Sequence, residues 1–87
     1  MILVTTEIQE MGESKFMGWT HEFKALVVQG SSINEVKKEM LISLRAKIAF
    51  DLKLPIHKIN GEEVTDAILN KAFKGVSDNT FETELLA

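Results

Sequence analysis

Residues 31–52, SSINEVKKEMLISLRAKIAFDL, decide the fold of this chain. Apolar residues recur here at steps of three and four, which predicts an amphipathic helix with one face against a partner layer. At 1.5 Å per residue the helix is about 30 Å long, enough to cross a small sheet. The residues on its apolar face are Ile33, Val36, Met40, Leu44 and Ile48, with Leu41 and Leu52 widening the stripe.

This stretch also carries helix boundary signals. Ser32 is suited to be the N-cap, because its hydroxyl can accept a hydrogen bond from a free backbone N–H group of the first turn. Glu35, three residues later, is expected to complete a capping box. At the other end Pro55 restricts Leu54, so the helix is expected to stop there.

Two alternating runs precede the helix, over residues 2–9 and 15–23. With the turn residues between them, they predict an antiparallel hairpin. Residues 25–29, rich in valine and leucine, predict a third strand. Gly30 is expected to give the backbone the freedom to turn from strand to helix. The simplest packing is a meander with the helix across one face.

Residues 53–87 form a C-terminal extension with two open points. Residues 55–59 predict a fourth strand or an extended link. Asn60-Gly61 is either a hairpin turn or the start of a second helix over 61–74. We favour the helix, because acids stand at its start and bases at its end, followed by a C′ glycine: Glu62, Glu63, Asp66, Lys71, Lys74 and Gly75.

The fold prediction is a single α+β domain over residues 1–87. It has an antiparallel sheet of three or four strands in the order β-β-β-α-β, a long helix across one face and a smaller C-terminal helix. The alternation of residues 80–86 suits a short terminal strand or an arm that docks on a neighbour. In the second case Phe81 and Leu85 are arm residues.

Composition excludes several classes of protein. The chain has 45% hydrophobic and 26% charged residues, as expected of an ordinary globular domain. It has no cysteine, which excludes disulfides, thiolate metal sites and cysteine nucleophiles. The start, MILVTTEIQE, lacks the basic flank of a signal peptide, and no apolar run approaches the ~20 residues of a membrane span. We therefore expect a cytoplasmic protein with no membrane association.

No residue pattern indicates catalysis. His21 and His57 stand on different elements without a second ligand at metal spacing. There is no glycine-rich phosphate loop, no HExxH and no serine elbow. We predict no enzyme, no cofactor and no metal.

Charge is unevenly distributed within a net charge of −3, with residues 37–58 mostly basic and 59–87 mostly acidic. Two interpretations stay open: solvated helix faces, or a basic face that contacts RNA or an acidic partner. Trp19, the only tryptophan, is either a core or sheet-face residue or a stacking platform for a base. The candidate partner or RNA contacts are Trp19, Lys37, Lys38, Arg45 and Lys47.

The turn Val28-Gln29-Gly30-Ser31-Ser32, followed by Ile33-Asn34-Glu35-Val36, carries a family resemblance. With the order of elements over residues 1–52, it resembles the N-terminal domain of HicB-like antitoxins, whose fold is similar to a double-stranded-RNA-binding domain or a trimmed ribonuclease H fold. The resemblance implies a non-enzymatic protein-interaction module, antitoxin-like or a diverged relative, with a small protein partner such as a toxin.

Self-association is also expected. An exposed sheet edge and the segment 80–86 could pair with another copy or with a partner by strand addition, and a dimer is favoured. The alternative function is an RNA-binding module that uses the basic face of helix 32–52.

Overall fold

The computed structural model describes residues 2–53 and 64–85, which form a five-stranded antiparallel sheet with two helices. The sheet order is β3-β2-β1-β5-β4. The predicted α+β class is confirmed, and the extra strands arise because the C-terminal segment returns to pair beside β1. In chain order the elements are β1 (Ile2–Gly12), β2 (Lys15–Thr20), β3 (Val27–Gly30), α1 (Ile33–Leu52), α2 (Asp66–Ala72), β4 (Lys74–Gly75) and β5 (Thr80–Leu85).

One face of the sheet is buried under the helices. On the central strand β1, Val4, Thr6 and Ile8 are buried while their neighbours are partly or fully exposed, as strand alternation requires. Inward residues of β1, α1, α2 and β5, together with Phe73, form one core: Val4, Met40, Leu41, Leu44, Ile48, Ala49, Leu69, Phe73 and Leu85. The long helix supplies five of these residues, so α1 organises the domain as its periodicity predicts.

The predicted N-cap of α1 is confirmed. The backbone N–H of Glu35 donates to Ser32 Oγ at 3.1 Å, and Ser32 has extended backbone geometry. The carboxylate of Glu35 accepts instead from Ser31 Oγ at 2.7 Å. The helix ends at Leu52, as in the predicted span 32–52 and before the restricted Leu54, because Lys53 adopts a left-handed conformation (φ 54°) and caps it.

Replacing Ser32 with alanine should lower the free energy of unfolding by about 1 kcal/mol, since one N–H of the first turn loses its acceptor. Ser31→Ala is the matched control, because the Ser31 hydroxyl only donates to an exposed carboxylate. Urea unfolding of both variants measures the difference. Equal losses of unfolding free energy in the two variants would show that the Ser32 hydroxyl is not the N-cap that stabilises α1.

Gly30 has a different role from the predicted one. Among the glycines that the structure describes, only Gly12 has a positive φ, so Gly30 needs no special backbone conformation. A Cβ atom at position 30 would instead lie 3.1 Å from the backbone nitrogen of Val36 and from Glu35 Cβ. The absence of a side chain therefore lets β3 approach the start of α1 closely.

Several boundaries differ from the predictions. The ends of α1 are exposed, so Ile33 and Leu52 do not join the core. The second helix begins at Asp66 with Thr65 as N-cap, not at 61. Gly75 lies in β4 and does not cap that helix. The predictions for residues 55–59 and 60–61, and for His57, fall outside the described residues.

Of the two predictions for residues 80–86, the structure has the terminal strand, because β5 pairs with β1 of its own chain from Ile2↔Leu85 to Glu7↔Thr80. Leu85 is buried in the core. Phe81 packs edge-to-face on Phe73, with ring centroids 6.4 Å apart. The described helices include none that is long and apolar enough to cross a membrane.

Candidate protein-interaction surfaces

The second face of the sheet points away from α1 and α2, and we call it the outer face. Its residues alternate with the buried ones along each strand, so register assigns them directly. None of the described helices lies over it. Its members include Leu3, Thr5, Glu7, Gln9, Met17, Trp19, Val27, Gln29, Glu82 and Glu84.

Trp19 lies on the outer face of β2, which has a neighbouring strand on each side. Its flanking residues on β2, Gly18 and Thr20, are buried, so the indole must point outward. In the register Trp19 is opposite Glu7 on β1 and Val27 on β3. Met17, Trp19 and Val27 form an apolar group that we call the outer cluster, and each member is partly or fully exposed. Trp19 is thus a sheet-face residue outside the core.

One carboxylate borders the outer cluster directly, and two more lie on the same face beyond β1. Glu7 is the cross-strand neighbour of Trp19, and Glu82 and Glu84 lie on the same face of β5. Glu7 Oε2 is 3.1 Å from His21 Nε2. Lys15 and Lys74 lie at the margins of the outer face. Lys15 is at the hairpin end of β2, and Lys74 is on the short strand β4. The middle of the face is therefore apolar and acidic.

The four predicted basic contacts do not form one patch. Arg45 is only 6% exposed and lines the cleft between α1 and α2, so it is not on the solvent face of the helix. Lys37 Nζ lies 4.2 Å from the ring centroid of Phe81, and partial burial lowers the pKa of Lys37. Lys47 Nζ is 3.2 Å from Asp51 Oδ1. Lys38 is exposed on α1.

The solvent side of α1 carries an apolar stripe that the sequence analysis missed. Ile42, Ala46 and Phe50 follow each other at four-residue steps, and all are exposed. Phe50 is 81% exposed, far more than most large apolar side chains in a folded domain. Their four-residue spacing was a visible signal, but the stronger core stripe on the same helix concealed it.

A cleft of about 340 Å³ lies between α1, α2 and β5. Arg45 and Lys71 line it from the helices, and Leu85 lines it from the strand. Among the described residues, the lining contains no histidine, serine or threonine. The described part of this cleft therefore offers no nucleophile–base pair of the usual kind.

Metal ligation has no candidate within residues 2–53 and 64–85, where no group of three or more histidine, aspartate or glutamate side chains is placed to hold an ion. Comparison with known proteins gives no match to a family model, a curated protein or a solved structure. The HicB-like resemblance therefore rests on the sequence pattern and stays a prediction.

Proposed function

We propose that this chain is a non-enzymatic protein-interaction module that binds a partner protein on its outer sheet face. The observation that carries the proposal is the position of Trp19, which is held among Met17 and Val27 on a sheet face with no described helix over it. Tryptophan is enriched among the residues that dominate binding energy at interfaces. A contiguous exposed apolar group framed by polar residues is typical of an interaction site.

The charge around this cluster indicates the chemistry of the partner. Glu7, Glu82 and Glu84 share the face with Trp19, so a complementary surface carries an apolar centre with lysine or arginine at its rim. A small basic protein satisfies that description. The resemblance to HicB-like antitoxins supports the same choice, since it implies a toxin as partner.

The RNA-binding alternative has weaker support. Phosphate contacts require several cations on one accessible surface. Here Arg45 is buried and Lys37 packs on an aromatic ring. Trp19, the predicted stacking residue, has Glu7 beside it, which disfavours an approaching phosphate backbone. We therefore do not propose RNA binding.

The test begins with native mass spectrometry of the untagged protein purified from its own cells, which identifies a co-purifying protein. Titration of that partner against Trp19→Thr should then give a Kd raised by about 30-fold or more, as for an interface hot spot. Threonine suits a strand, so the sheet should remain folded.

Phe50→Ser is the control, because it removes an exposed aromatic ring from the opposite side of the domain. Its Kd should stay at the wild-type value. If Phe50→Ser abolishes binding while Trp19→Thr does not, the helix stripe and not the outer face is the interface.

A further inference from the structure

We propose that two copies of this chain join through their β3 edges, forming one continuous sheet of ten strands, five from each copy. This goes beyond the proposed function, because partner binding on the outer face does not require a dimer. The surface involved is the side of the backbone over Val27–Gly30 that pairs with none of the described strands. β3 is the terminal strand of the sheet and pairs only with β2 among the described strands.

The β3 edge lacks the features that normally protect an edge strand. Exposed edges are usually blocked by charged side chains, prolines or bulges, since their unpaired N–H and C=O groups accept another strand. β3 and its flanks, residues 25–31 (ALVVQGS), contain no charge and no proline. The ladder between β2 and β3 runs without a register shift from Phe16↔Gly30 to Trp19↔Val27.

The other open edges in the described part of the chain are protected. The end of β1 extends beyond β5 and carries an exposed Glu10, with a register shift between Glu10 and Gly12. On the opposite side of the sheet, β4 has only two residues, one of them Lys74. Its neighbour β5 carries Glu82 and Glu84. The contrast selects β3 as the edge left open for pairing.

A second copy fits this edge by charge. Each chain has a net charge of −3, so two copies repel each other overall. Pairing through β3 brings together valine, glutamine and glycine, with no like charges opposite each other. Because α1 packs over β2 and β3, both α1 helices would flank the seam. The two outer clusters, which include Val27, would also become neighbours on one enlarged face.

The pairing that keeps both helix layers on one side has a defined symmetry. Residues directly opposite each other in an antiparallel pair point to the same face. When the two-fold axis runs perpendicular to the joined sheet, one β3 residue of the first chain therefore lies opposite the same residue of the second chain. If the two β3 strands overlap along most of their length, that residue is Val27, Val28 or Gln29.

The first test is the molecular mass in solution by sedimentation velocity at micromolar concentration. The wild-type chain should sediment with twice its 9.8 kDa mass. The Val27→Lys/Gln29→Lys variant should sediment as a monomer, because four lysines would meet across the seam. Both positions are exposed, and an unchanged circular dichroism spectrum shows that the fold is kept. The Gln9→Lys/Met11→Lys variant is matched in charge and spacing and should remain a dimer.

The second test uses the absence of native cysteine. Among Val27→Cys, Val28→Cys and Gln29→Cys, one variant should form a disulfide-linked dimer under mild oxidation, since opposed Cα atoms lie within bridging distance. Met11→Cys should not. A wild-type monomer at all concentrations, a dimer that survives the two β3 lysines, or cross-linking from Met11→Cys alone would each overturn the proposal. All three outcomes can occur while Trp19→Thr still weakens partner binding, so the two proposals fail separately.

Discussion

Leu44→Ala should lower the free energy of unfolding by about 2–5 kcal/mol, the range for a large-to-small change at a fully buried site. Leu44 has no exposed surface and lies in the middle of α1, in the same core as Val4 and Met40. The total stability of a typical domain is only about 5–15 kcal/mol. For a chain of this size, the melting temperature should therefore fall by roughly 10 °C or more.

Ile42→Ala provides the matched control on the same helix, two residues away. Ile42 is 41% exposed, so its truncation removes fewer packing contacts and should cost well under half as much. Urea unfolding followed by circular dichroism measures both. A loss at Ile42 as large as that at Leu44 would mean that the two sides of α1 have been assigned the wrong way round.

Gly18→Ala should also destabilise the domain, by about 1–3 kcal/mol. A Cβ atom at Gly18 would lie 2.6 Å from Val36 Cγ1. Val36 is fully buried, and its β-branched side chain is restricted in χ1. The valine side chain therefore cannot change rotamer to relieve the contact, and α1 must shift away from β2. Without this contact, alanine in place of a strand glycine would be neutral or favourable.

A double-mutant cycle isolates that contact. Val36→Ala alone leaves a cavity, but Gly18→Ala/Val36→Ala should lose less stability than the two single losses added together, because the new methyl group enters the vacated space. Gly75→Ala is the control, since its Cβ would have its nearest neighbour at 3.9 Å, an ordinary contact. Additive losses in the cycle would contradict a direct clash between Gly18 and Val36.

Local patterns predicted the elements of this fold well. The step of three and four residues located α1, and the cap at Ser32 forms as predicted. The alternation of residues 2–9 predicted a strand, and on β1 Val4 and Ile8 are buried while Leu3 is exposed. These features depend on residues that are near each other in the sequence, so the sequence alone carries the signal.

Features that depend on distant partners were predicted less well. Arg45 and Lys38 do lie on the same side of α1 by helical geometry, yet α2 packs near one and not the other, so Arg45 is buried and Lys38 exposed. The alternation of residues 80–86 showed a strand but not which chain it pairs with. The face that Trp19 occupies follows from the burial of Gly18 and Thr20, which depends on the packing of α1 and not on the local sequence.

The fluorescence of Trp19 tests the central claim most directly, because it is the only tryptophan in the chain. Emission and acrylamide quenching are measured for the free protein and then with the purified partner at saturation, using a partner variant without tryptophan. Binding on the outer face should shift the emission to shorter wavelength and protect the indole from quenching, since the partly exposed ring becomes covered. A saturated complex with unchanged emission and unchanged quenching would contradict binding at this face.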